Sequence, residues 1–186
     1  LEVVVELDLI WRATLALCEA DGLDEVHREL GALFAQLRID QYAFISVTGF
    51  VLKRSQVLVS NFDVSWQALY RSNSYQCIDP FVRRLRGCPL PFLWSELGLE
   101  SLGPDELAFL RCARLHRIDT CRGATAPAHV RGEQLASLYV SQRIDNVGVR
   151  EIGIRDAYLM SGLATTLHLR VRASVSISQF SRSFEN

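Results

Sequence analysis

Apolar residues recur at helical spacing over residues 7–20, where Leu7, Ile10, Trp11, Thr14, Leu15 and Cys18 fall on one stripe. That stripe is expected to face the core, with Trp11 packed inside it. Asp21-Gly22 breaks the helix. Over 23–37, Val26, Leu30, Leu33, Phe34 and Leu37 predict a second amphipathic helix with these residues inward. The stretch YAFISVTGF (42–50) is β-branched and aromatic and reads as a strand. QVLVSN (56–61) is its partner across a loop near Lys53-Arg54. Asp63 then suits the N-cap of a helix that carries Trp66 and Tyr70 four residues apart on one face. Asp79-Pro80 opens another short helix, with Asp at the N-cap and Pro at N1. Pro89 and Pro91 mark a loop to Trp94, and Gly103-Pro104-Asp105 starts a helix through about Leu115. Strands are predicted near 121–130 and 134–142 around a turn at Arg131-Gly132-Glu133. A long helix follows over 147–172, weakened locally by Gly148, Gly153 and Gly162. The Ser-rich end, SVSISQFSRSFEN, is expected to fray or link onward.

Helices before, between and after short-turned strands imply an α/β/α sandwich around a central antiparallel sheet of about five strands. A chain of 186 residues suits one domain with a large core. The net charge of -1 gives no general electrostatic reason to bind DNA or an anionic membrane. The arginines at 83, 84 and 86 read as a solvated helix face. Five cysteines without a C-x-x-C pair favour reduced thiols in a cytoplasmic protein. Glu2, Glu6 and Asp8 at the start exclude a signal peptide there, and no apolar run reaches membrane-spanning length.

Enzyme motifs are missing. There is no G-x-S-x-G, no Walker loop and no G-x-G-x-x-G after a strand. His27, His116, His129 and His168 have no ligand spacing with one another or with the cysteines, so no metal site is expected. Each reads as a surface or helix-end histidine.

One stretch carries a different chemistry. Between Asn61 and Trp94 the chain gathers two tryptophans, a tyrosine and a carboxylate around turns. Apolar walls with a few placed polar groups suit a small-molecule pocket. Asp79 has a structural reading as a helix cap and a ligand-binding reading, and the two are compatible. The indole N–H of Trp66 can only donate, so burial demands an acceptor from the backbone or from a ligand.

The order W-x3-Y-x8-D-P-x13-W, with Gly123 in RGATAP beyond it, resembles the autoinducer-binding domain of LuxR-type quorum-sensing regulators. The resemblance covers roughly the whole chain. It implies a sensor domain over 1–174, with 175–186 as a tail or the start of a linker. It implies no cofactor, and an N-acyl-homoserine lactone as ligand between the sheet and one helical layer. Trp66 would hold the lactone carbonyl, Asp79 the amide N–H, and Tyr70 the amide carbonyl or the head-group wall. Trp94 would pack over the lactone, with Pro80 and Gly123 structural. Ala43, Ile45, Leu58 and Ser60 would line the acyl tail.

There are departures from the family pattern. Relatives often place a tyrosine at the position of Phe62, which keeps the ring and loses the hydroxyl. Where relatives have Ser or Thr on the 134–142 strand, either Ser137 or Tyr139 fits, and strand alternation puts both on one face. Family members form homodimers and continue into a helix-turn-helix DNA-binding domain. This chain has none, so it is expected to be an isolated sensor domain that performs no chemistry. Two rivals stand beside that reading: a sensor of a non-lactone signal, and a small enzyme acting on a lipid-like amide or lactone.

Overall fold

The computed structural model describes the backbone of residues 2–47, 55–128, 136–146, 148 and 150–182. It describes their side chains except at 2–5, 46–47, 55–58 and 172–182. The expected turns near 53–54 and 131–133, and His129, lie outside these residues.

The strands are β1 (Gln41–Val47), β2 (Ser55–Ser60), β3 (Phe92–Leu93), β4 (Ile118–Pro127) and β5 (Ala136–Arg143). They pair antiparallel in the order β2-β1-β5-β4-β3. Side-chain alternation then fixes two faces. Tyr42, Phe44, Val59, Leu138 and Val140 point to one, with Ala124, Ala126 and Ala136 between them. Ala43, Ile45 and Tyr139 point to the other. The helices are α1 (Glu2–Glu19), α2 (Leu23–Gln36), α3 (Val64–Ser72), α4 (Pro80–Gly87), α5 (Pro104–Leu115) and α6 (Ile154–Arg182). Residues of α1, α2 and α6 cover the first face; those of α3, α4 and α5 cover the second. The sequence-derived α/β/α sandwich is the observed fold.

Helix α2 buries Val26, Leu30, Leu33 and Phe34, as its stripe predicts. Helix α1 does not follow its predicted stripe. Ala13 and Leu17 are buried, whereas Leu7 and Leu15 are exposed and Trp11 is 62% exposed. Apolar residues lie on more than one side of the helix, so spacing alone does not choose a face. Small Ala13 and Ala20 let the neighbouring helices approach, and the larger stripe is left outside.

Helix α6 also departs from expectation at both ends. It starts at Ile154, where the Asp156 carboxylate accepts from Gly153 N at 2.7 Å and from Arg150 at 2.7 Å. It continues through Arg182 rather than fraying at the Ser-rich end, which contains no Gly or Pro to stop it. His168 is 2% exposed within it, a correction to its reading as a surface or helix-end residue.

Candidate ligand-binding site

Helix α3 begins as predicted: Asp63 caps it by accepting from Ser65 N at 2.8 Å. That start turns Trp66 and Tyr70 toward the sheet, where both are buried. Asp79 caps α4 with one oxygen, accepting from Phe81 N at 2.8 Å and Val82 N at 3.4 Å. Its other oxygen accepts from the Tyr70 hydroxyl at 2.8 Å. Pro80 sits in the first turn, where its missing N–H costs nothing.

Asp79 is 5% exposed. Burial pushes its pKa up to about 6, against the Tyr70 hydroxyl, the two backbone N–H groups and the Arg86 charge, which hold it down. The same burial, together with the Asp79 charge, pushes the Tyr70 phenol well above its ordinary range.

Trp94 is fixed on three sides. Its ring stacks on Phe81 at 4.2 Å between centroids. Its indole N–H donates to Thr125 Oγ1 at 3.0 Å. Gly123 backs the ring so closely that a Cβ there would stand 2.3 Å from Trp94 Cε3. The structural role expected of Gly123 is therefore a steric one.

Around Trp66 stand Tyr70, Tyr75, Phe109 and His116, with ring centroids 5.3–5.9 Å away. The Trp66 N–H has no hydrogen-bond acceptor among the described residues.

These groups line a cavity of about 50 Å³ between the sheet and the α3–α5 layer. Of the residues singled out in the sequence, Ala43, Ile45, Ser60, Phe62, Trp66 and Tyr70 line it, as do Asp79, Trp94 and Tyr139. Ser137 stands on the same sheet face but not on the lining, and the side chain of Leu58 lies outside the described residues. The structure adds Gln67, Phe81, Phe109, Ala113 and Ile118 to the wall. Phe109 and Ala113 had a signal, four residues apart on a predicted helix, but the stretch held no polar group to mark it. The Tyr70 hydroxyl donates to Asp79, and the same residue lines the cavity.

Outside the cavity, Ser65 Oγ lies 3.3 Å from His116 Nδ1. Asp63 bonds the serine hydroxyl rather than the imidazole, so the ring lacks the orienting carboxylate of a hydrolytic triad. Among the described residues no three His, Cys, Asp or Glu converge on a metal position.

Comparison with known proteins settles the family. The model of the autoinducer binding domain matches residues 22–171. The chain belongs to that family. This autoinducer-binding domain is 34% identical over 83 residues to the transcriptional activator EchR of Dickeya chrysanthemi, covering 44% of this chain and 32% of EchR. The match thus spans about a third of that relative's length. SdiA of Escherichia coli shares the fold with a TM-score of 0.70 at 19% identity, over 88% of this chain and 67% of the SdiA chain. CepR2 of Burkholderia cenocepacia, an N-acylhomoserine-lactone-dependent LuxR family transcription factor, superposes with a TM-score of 0.66. Its identity is 18%, over 92% of this chain and 95% of CepR2. The chain is therefore a ligand-binding sensor domain of the LuxR type, from a family that binds small molecules rather than converting them. Among the described residues no helix is long and apolar enough to cross a membrane.

Proposed function

We propose that this domain binds an N-acyl-homoserine lactone in the cytoplasm and couples its occupancy to folding, to homodimerisation and to a DNA-binding domain outside this chain. The observation that carries the reading is that the Trp66 indole N–H, which has no acceptor among the described residues, and the buried Asp79 carboxylate line one largely apolar cavity. A donor and an acceptor so placed suit a ligand carbonyl and a ligand amide N–H. The apolar walls suit an acyl tail.

The test is a thermal melt against a panel of N-acyl-homoserine lactones. At 100 times its dissociation constant a bound lactone adds about 2.7 kcal/mol. The melting temperature should climb with lactone concentration, and unchanged lactone recovered from the sample separates binding from turnover. Overlapping melts across the panel reject the reading.

One observation favours a second ligand class. SdiA has been solved in complex with octanoyl-rac-glycerol. Monooctanoylglycerol therefore belongs in the same panel. A larger shift with it than with any lactone would make this a sensor of acylated glycerol.

The exposed stripe of Leu7, Trp11 and Leu15 on α1 supports dimerisation. Trp11→Glu should raise the dimer dissociation constant without lowering lactone affinity, as read by sedimentation and calorimetry.

A further inference from the structure

The cavity is smaller than the ligand that the proposed function asks it to hold. Its space is about 50 Å³, whereas small-molecule pockets run to roughly 300–1,000 Å³. A wall must therefore move to admit a lactone, and the walls differ in how firmly they are held. The sheet is a ladder of five paired strands. Helix α4 is capped by Asp79 and tied to α5 by the Arg83–Glu106 ion pair at 3.0 Å. The stretch between α3 and α4 is looser, and no residue from 71 to 78 is buried.

Residues 74–79 close on themselves. Cys77 N donates to Ser74 O at 3.0 Å, while Ile78 N and Asp79 N donate to Tyr75 O at 2.9 and 2.8 Å. A turn bonded in this way can move as one body. It enters through Ser74, whose φ of 52° lies in the left-handed region that a residue other than glycine occupies at a cost. It leaves through Asp79, which is anchored on α4. The bonds that hold the turn down are weak ones. Arg86 of α4 donates to the Gln76 carbonyl at 3.3 Å, beyond the usual length. The Tyr75 hydroxyl donates to Cys112 Sγ of α5 at 3.6 Å, and a thiol is a poor acceptor.

The partly exposed Tyr75 ring packs on three rings that line the cavity without lining it itself. These are Trp66, Tyr70 and Phe109, at 5.8, 6.0 and 5.3 Å between centroids. Tyr75 thus holds them together from outside. Beside the turn lies a recess of about 330 Å³, walled in part by Gln76, Cys77 and Ile78. Asp79 belongs to the walls of both the recess and the cavity.

We propose that residues 74–78 are a hinged lid over the ligand site. The lid swings about Ser74 and Asp79 toward the recess, and the withdrawal of Tyr75 lets the Trp66, Tyr70 and Phe109 rings part. Arg86 is the latch that recloses it. Stretches with few buried contacts are the ones that open at low cost, and lids of this kind set the rates of binding and release. The inference rests on the lactone reading above.

Two measurements test it. Cys112 reports on the lid without any ligand, because Tyr75 lies against its sulfur. With the exposed Cys18, Cys77, Cys88 and Cys121 changed to Ser, the labelling rate of Cys112 by a maleimide is followed. Arg86→Ala should raise that rate several-fold. Ser74→Gly should lower it, because glycine accepts the closed backbone without strain. Stopped-flow tryptophan fluorescence then follows N-octanoyl-homoserine lactone. Tyr75→Ala should speed association and dissociation together, about 10-fold, and Ser74→Gly should slow both. If Tyr75→Ala is insoluble, the opposite signs expected of Arg86→Ala and Ser74→Gly carry the test. Labelling that is unchanged, or that moves the same way in those two variants, overturns the lid and leaves the lactone reading intact. So does lactone association at the wild-type rate in Tyr75→Ala. Labelling that shifts as expected in a protein that binds no lactone of the panel keeps the lid and removes the lactone.

Discussion

The two faces of the sheet are built from different side chains. Among the described residues, seven of the twenty-four buried against α1, α2 and α6 are alanine and only Phe34, Tyr42 and Phe44 are aromatic. Of the fifteen described residues buried against α3, α4 and α5, eight are aromatic, from Phe62 to Tyr139. Small side chains between branched ones let a helix settle onto the strands until the gap closes. Large flat rings, fixed by stacking and by hydrogen bonds at their edges, hold the layers apart and cannot fold into the space they leave. One face is a core and the other is a container, although the same strands supply both.

The largest expected effect lies on the closed face. Leu138 is 0% exposed, and Leu138→Ala should cost roughly 2–5 kcal/mol of stability. Phe109→Ala, on the cavity wall, enlarges a space that already exists and should cost the ligand-free protein less. Chemical denaturation of both variants, with and without lactone, checks the contrast. Equal losses would mean that the two faces are packed alike.

The next effect is electrostatic and belongs to the cavity face alone. Asp79 has its pKa raised from 3.8 to about 6 in the folded state. The native state therefore binds more protons than the unfolded chain between these values, and stability must fall as pH rises through them. Above pH 6 the cost is roughly 3 kcal/mol. Ligand affinity should run the other way, because an amide N–H needs the ionised carboxylate. Melts and titrations from pH 5 to pH 7.5 should show ligand-free stability decreasing and lactone affinity increasing. Asp79→Asn should flatten both profiles and weaken binding about 10–100-fold.

Third is Gly123→Ala, whose methyl group meets the Trp94 ring. Overpacking of this kind should cost about 1–3 kcal/mol and lower lactone affinity as the ring shifts. A variant with wild-type melting and affinity would show that the ring has room. The smallest effect is per methylene. Each CH₂ added to the lactone tail should gain up to ~0.8 kcal/mol until the container is full, then reverse. A flat series of affinities would place the tail in solvent.

Local rules were legible wherever one residue decides. Asp63 and Asp79 announce helix starts because a short acidic side chain before a turn satisfies exposed N–H groups. The α2 stripe is unambiguous because its opposite face is charged. Trp66, Tyr70, Asp79 and Trp94 could be read as one pocket from spacing and resemblance. The face of α1 could not, since a helix with apolar residues on more than one side is oriented by its neighbours. Strand β3 is two residues long and has no periodicity to read. The engagement of Tyr70 by Asp79 depends on where two helices meet, and nothing local in the sequence encodes which donor is left over.

The pairing of Gly123 with Trp94 constrains history as well as shape. A side chain at 123 costs least in a chain that has already lost the indole at 94, while the reverse order meets no barrier of that kind. Two positions distant in the sequence are thereby linked in inheritance, with a direction. A lineage leaving this ligand behind would be expected to change 94 first, and descendants with a bulky residue at 123 should carry a small one at 94.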